Sequence, residues 1–147
     1  MNSTSETRSS PRSLRELWGK VQGLDTAILT TVHQDGVLNS RPMATQAIEA
    51  QEFLWFFAAR DSGKVQAIRA NPQVAVTYAY PRGNTYVTAS GIASVCDNDA
   101  KARQFWSKAA QSWFPAGPED SGLVLIRVDV EHAQWWDGSE SREIDLG

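Results

Sequence analysis

Residues 26–58, TAILTTVHQDGVLNSRPMATQAIEAQEFLWFFA, decide the fold. Residues 26–33 are β-branched and apolar. Gln34-Asp35-Gly36 then supplies turn chemistry before residues 37–48 resume an extended run. Asp-Gly between two such runs signals a hairpin, because glycine accepts the positive φ that the tight turn demands. Glu49-Ala50-Gln51 makes the next turn, and residues 52–58 form a third, almost wholly apolar strand. Three strands joined by such short turns make a meander, which pairs antiparallel. Pro42 sits inside the second strand without an N–H to give to a ladder, so that strand must lie at an edge or a bulge there.

Outward from this meander the periodicities change. Leu14, Leu17, Val21 and Leu24 recur at helical spacing with Trp18 beside them; Ser13 is a cap and Gly23 a stop. Residues 1–13 are Ser-, Thr- and Arg-rich and read as a disordered tail. After the meander, Gly63 to Ala70 reads as a short helix with Val65 and Ile68 inward, stopped by Asn71-Pro72. Residues 73–80 (QVAVTYAY) alternate as a strand, and Pro81-Arg82-Gly83-Asn84 turns into a further strand over 85–95, where Gly91 predicts a bulge or sharp bend. Residues 98–113 read as one helix capped by Asp97 or Asn98, and residues 122–131 as a last strand. Helices do not alternate with strands, which excludes a parallel α/β sheet. The expected architecture is mainly β: a small antiparallel barrel with peripheral helices over residues 14–138, followed by a C-terminal tail over 139–147.

Bulk properties narrow the function. A net charge of −3 and a pI near 5.3 point to neither nucleic acid nor an anionic membrane as partner. No apolar run reaches the roughly 20 residues that span a bilayer, and the N-terminus lacks the apolar core of a secretory signal. With Cys96 alone no intramolecular disulfide can form, which suits a reducing, cytoplasmic setting. Two histidines do not suggest a metal site, and none is expected. His33 beside the hairpin turn is expected to be exposed and His132 is a pocket candidate, while Asp25, Glu49 and Glu131 fall at turns and strand ends and are expected to be solvated. The six tryptophans are either core and interface fillers or walls for a flat aromatic ligand. The motifs GxSxG, GxxxxGK[ST], HExxH and GxGxxG are absent, and no catalytic residue is assigned.

Phe56-Phe57-Ala58-Ala59-Arg60-Asp61-Ser62-Gly63-Lys64 carries the most chemistry. An apolar strand ends, small residues follow and a helix begins, a place where free N–H groups and the helix dipole favour an anion. Ser62 adds a hydroxyl, Gly63 admits close backbone approach, Lys64 supplies a charge and Arg60 is a candidate second cation. The same residues also make an ordinary helix start in which Asp61 or Ser62 is the cap.

Taken together and in order, several motifs resemble the pyridoxamine 5′-phosphate oxidase-related flavoproteins, in particular their general stress protein 26 type. These are Asp35-Gly36 before Ser40-Arg41-Pro42-Met43; Leu54-Trp55-Phe56-Phe57 leading to Asp61-Ser62-Gly63-Lys64; Asn71-Pro72-Gln73-Val74; Tyr86-Val87 before Ser90-Gly91; Trp113-Phe114-Pro115-Ala116-Gly117 with Asp120; and Trp135-Trp136-Asp137. The resemblance implies a six-stranded antiparallel split barrel that forms a homodimer, with FMN at the subunit interface and FAD or another flavin as the alternative cofactor. It implies that Ser62, Gly63 and Lys64 hold the phosphate, and that Arg41, Pro42, Met43, Phe56, Phe57 and Ala58 line the ring. Trp113 or Trp136, from either subunit, would close the site. Relatives with oxidase activity carry a further cation where this chain has Gly63, commonly a threonine where it has Ala58, and an arginine- and histidine-containing ending that it lacks. The expectation is therefore a flavin-binding protein of the stress-protein type, either a flavin carrier or an oxidoreductase of unknown substrate. A pyridoxamine 5′-phosphate oxidase and a non-catalytic flavin carrier or interaction module are the alternatives.

Overall fold

The computed structural model describes residues 3–6, 11–24 and 26–146. Its strands are β1 (Ser3–Glu6), β2 (Thr26–Val32), β3 (Leu38–Glu49), β4 (Phe53–Ala59), β5 (Gln73–Tyr80), β6 (Thr85–Cys96), β7 (Leu123–Asp137) and β8 (Glu140–Asp145). The helices are α1 (Pro11–Gly19), α2 (Gly63–Ala70), α3 (Asp99–Phe105) and α4 (Lys108–Trp113). Pairing runs β7-β4-β3-β2-β5-β6 and returns from β6 to β7, which closes a six-stranded antiparallel barrel. No helix among the described residues is long and apolar enough to cross a membrane.

Period-two alternation drives the barrel. Leu29, Leu54, Phe56, Val76, Tyr78, Val87, Ile126 and Val128 point inward and are almost wholly buried. Each such side chain contributes about 1.5–3 kcal/mol by leaving water. The Tyr78 hydroxyl shares a 2.7 Å hydrogen bond with Thr45 Oγ1, and burial pushes the phenol pKa up. Helix α1 lays Leu14, Leu17 and Trp18 on this core, and α2 adds Val65 and Ile68. The outward residues of β4 and β7, Trp55, Leu123 and Leu125, form a second cluster with Ala102, Phe105 and Trp106 of the α3 region.

Gly91 behaves as expected. The β6–β7 register shifts between Ser90 and Gly91, and a Cβ on Gly91 would lie 2.0 Å from the Asp129 carbonyl oxygen. Pro42 also behaves as expected, since β4 covers β3 only from Thr45 onward and leaves residues 38–44 an open edge on that side.

Several expectations need correction. The helix read over 98–113 is two helices, because Ser107 adopts extended backbone and its hydroxyl caps α4 by accepting from the Ala110 N–H. Asn98, not Asp97, caps α3. Strand β7 runs on to Asp137, and Gly138 at φ 63° turns the chain into β8, so the expected tail over 139–147 is largely a strand. Of the expected N-terminal tail, Ser3–Glu6 pair in parallel with β8 and Pro11 opens α1, while residues 1, 2 and 7–10 lie outside the described residues.

Candidate functional site

The β3–β4 ladder holds from Glu49/Phe53 to Thr45/Phe56 and then stops. Beyond it, residues 38–44 pair only with β2, while Phe57, Ala58 and Ala59 pair only with β7. The barrel wall is therefore split between these strands, with unladdered backbone on both lips. Helix α2 begins four residues after β4 ends, with Gly63 as its first residue.

Two cations near this split act on one another electrostatically. Arg41, on β3 opposite Leu29, donates to the Leu29 carbonyl at 3.3 Å and to the fully buried Thr31 hydroxyl at 2.8 Å. Lys64 is half-buried in the first turn of α2. Its pKa is held below the ordinary lysine range, first by desolvation and then by the charge of Arg41. Desolvation also lowers that of Arg41. Among the described residues neither cation is ion-paired with a carboxylate. Two like charges, partly stripped of water and unneutralised, raise the free energy of the empty site, and a bound anion offsets this.

The turn between β4 and α2 adds donors. Ser62 is the N-cap residue in extended backbone, but its hydroxyl turns back to donate to the Ala59 carbonyl at 2.7 Å rather than capping the helix. The first-turn N–H groups of α2 thus have no intrahelical acceptor and no side-chain cap. A Cβ on Gly63 would meet nothing within 4 Å, so the approach to these groups is open.

Arg60, a candidate second cation, is committed elsewhere. Its guanidinium makes a two-pronged ion pair with Asp97 at 2.6 and 2.8 Å and donates to the Ser121 and Leu123 carbonyls. It pins the β4–α2 turn to the end of β6 and the start of β7. The paired carboxylate raises the Arg60 pKa, and Arg60 in turn lowers that of Asp97.

Alternation along β4 separates the two phenylalanines. Phe56 is wholly buried inside the barrel, with Ala58 on the same face, whereas Phe57 points outward with its ring 5.3 Å from Trp106. Met43 is likewise a core residue and Pro42 is exposed. The phenylalanine pair therefore does not offer both rings to one ligand. Trp113, at the end of α4, is 79% exposed, and Trp136, on the outer face of β7, is 38% exposed.

The remaining titratable candidates move. His33 is half-buried rather than exposed, its Nε2 3.1 Å from Asn39 Nδ2. His132 is exposed on β7 opposite Ser90 and Asp145. Glu49 is not solvated as expected: it pairs with Lys101 and accepts from the Trp55 indole, contacts that hold its carboxyl below its ordinary pKa. Glu131 is exposed, and Asp25 lies outside the described residues. Cys96 is a free, half-buried thiol.

A split antiparallel barrel, with β3 open beyond Thr45 and a helix starting just after β4, defines the class. The pyridoxamine 5′-phosphate oxidase-like family model matches residues 12–146, and the chain belongs to that family. No curated protein matches it in sequence. Among solved structures it is similar to a Clostridium acetobutylicum protein related to general stress protein 26 of Bacillus subtilis (TM-score 0.80, 13% identity, covering 94% of this chain and 97% of that one). It is also similar to general stress protein 26 of Bacillus anthracis (TM-score 0.75, 25% identity, 87% and 95% covered). A third similar structure is the general stress FMN/FAD-binding protein of Xanthomonas citri (TM-score 0.74, 22% identity, 89% and 92% covered).

Proposed function

We propose that this chain binds FMN at the split between β3 and β4. The observation that carries the reading is the half-buried Lys64 within the field of Arg41, at the uncapped start of α2, with no carboxylate among the described residues paired to either. Lys64, the Ser62 hydroxyl and the first-turn N–H groups would hold the phosphate. Arg41, whose charge acts on Lys64, would add to the positive field that meets the phosphate. The open edge at Pro42 and Met43 and the backbone of Phe57 and Ala58 would flank the ring, whose polar edge matches unladdered N–H and C=O groups. Phe56 supports the site from inside the barrel.

A homodimer completes this reading. The outer face of β2, β5, β6 and β7 exposes Ile28, Tyr86, Ile92 and Trp136 among short side chains such as Ala75, Thr77, Thr88 and Ser90. Tyr86 and Trp136 are direct cross-strand partners. Such a flat apolar patch is suited to a second copy, which would bring Trp113 or Trp136 toward the flavin. The free thiol of Cys96 agrees with a cytoplasmic setting.

When bound, the flavin supplies the redox chemistry; the chain's own residues anchor the phosphate, orient the ring and exclude water. Pyridoxamine 5′-phosphate oxidation is disfavoured. The segment after Asp137 is the β8 hairpin, whose one arginine, Arg142, lies 6.0 Å from the Trp135 ring centroid and 3.9 Å from Glu16. The test is titration of flavin-free protein with FMN and riboflavin, followed by visible absorbance and flavin fluorescence. Saturable binding with a clear preference for FMN is expected; no spectral change, or equal binding of both, rejects the reading.

A further inference from the structure

The strongest unassigned feature is a cleft of about 430 Å³ between the turn of the β2–β3 hairpin and α2. The hairpin contributes His33, Gln34 and Asp35, and the helix contributes Gly63, Gln66 and Ala70. Its volume falls within the roughly 300–1,000 Å³ of small-molecule sites. Arg41, Ser62 and Lys64 are not among the residues that line it.

We infer that the cleft takes the adenylate half of a flavin dinucleotide, so that the site favours FAD over FMN; this rests on the flavin reading above. Position is the first ground. Gly63 lines the cleft and directly precedes Lys64, and a Cβ there would meet nothing within 4 Å, so no side chain at position 63 separates the two. A second phosphate attached to the first would lie at this junction, still within the field of the helix start.

The chemistry of the walls is the second ground. On the helix side Gly63, Ala67 and Ala70 recur at about one-turn spacing beside Gln66, which leaves a strip of small residues for a flat ring. The opposite side carries the half-buried His33 imidazole, held by Asn39 and suited to stacking on a base. The Gln34 and Gln66 amides each present a donor and an acceptor, the pairing that an adenine edge requires. Asp35 uses Oδ1 to accept from the Val37 N–H, and its second oxygen is suited to a ribose hydroxyl. Among the described residues no lysine or arginine lines the cleft. A neutral nucleoside fits it better than a separate anion would.

The test uses the flavin-free full chain titrated with FMN, FAD and riboflavin by fluorescence, and with AMP by calorimetry. The expected result is FAD binding at least about tenfold tighter than FMN, with AMP binding competitively against FAD. Ala70→Trp, at an exposed position on the cleft wall, should abolish the FAD advantage and leave FMN affinity within about twofold. Should that variant lose its native circular dichroism, Gln66→Ala supplies the same comparison with a smaller loss. FMN binding without any preference for FAD, or a preference that survives a folded variant, overturns this inference alone. Failure of every flavin to bind removes the flavin reading and this inference with it.

Discussion

The barrel has two seams of opposite character. At β6–β7 the strands pair along the whole of Thr85–Cys96, and where the register shifts the Asp129 backbone presses against Gly91. At β3–β4 the ladder stops after Thr45/Phe56, leaving Arg41 on the unpaired stretch of β3 and Lys64 in the first turn of the helix that follows β4. The first seam satisfies its backbone internally and lines its inner face with Val87, Ala89 and Ala93. The second leaves backbone groups and positive charge unsatisfied until something else supplies the partners. Stability is concentrated at the closed seam and the proposed binding at the open one, so the two can be perturbed separately.

The largest expected effect lies at the closed seam. Gly91→Ala places a methyl group where the Asp129 carbonyl stands, and should cost about 3 kcal/mol in urea unfolding because backbone on both strands must shift. A loss below about 1 kcal/mol would show that the seam yields and would remove the contrast. Next in size is Lys64→Ala at the open seam. It should weaken FMN roughly 10- to 100-fold, the worth of a charge-assisted phosphate contact, and leave riboflavin unchanged. Its unfolding midpoint should stay level or rise, since the change removes a desolvated cation beside Arg41. Equal weakening of both flavins would take Lys64 out of the phosphate site.

The same lysine sets a pH dependence with a definite sign. Its pKa in the free protein is lowered from the ordinary 10.5, and a bound phosphate raises it again. Between those two values binding takes up a proton, so FMN affinity should fall as alkaline pH rises through that window, and Lys64→Ala should flatten the profile. Above the window in the free protein, the lysine is neutral and contributes no charge to the phosphate. An unchanged slope in the variant would assign the titration to another group.

Much of the closed barrel was legible because its turns and alternation are local signals. Asp35-Gly36 marks the hairpin, QVAVTYAY alternates cleanly and Gly91 sits where only glycine fits. Strand β8 was not legible: Ile144 is its one buried residue and the others are polar, so no period-two contrast distinguishes it from a tail. Ser107 was readable as a cap, yet the helical spacing of Phe105, Trp106 and Ala109 masked it. At the open seam, the chemistry of Ser62 and Lys64 is local and could be read. The approach of Arg41 to Lys64 depends on the β2–β3 register, and the capture of Arg60 by Asp97 depends on where β6 ends; both are tertiary facts. The opposite facing of Phe56 and Phe57 followed from strand alternation alone, and the family resemblance led the two to be grouped.

The smallest expected effect tests whether the open seam is under-charged. Gly63 is the first residue of α2, and a Cβ there meets nothing within 4 Å. Gly63→Arg is therefore sterically free. Replacing glycine in a helix stabilises by about 0.5–1 kcal/mol, and a cation at a helix N-terminus costs about 0.3–1 kcal/mol, so folding stability should barely change. The added guanidinium faces the phosphate position, and FMN should bind several-fold tighter at low salt, with the gain shrinking as ionic strength rises. The same side chain would stand at the junction with the adenylate cleft, so the gain for FAD should be smaller than for FMN. A gain for riboflavin equal to that for FMN would show that position 63 does not face the phosphate, and the open seam would have to be redrawn around Arg41 alone.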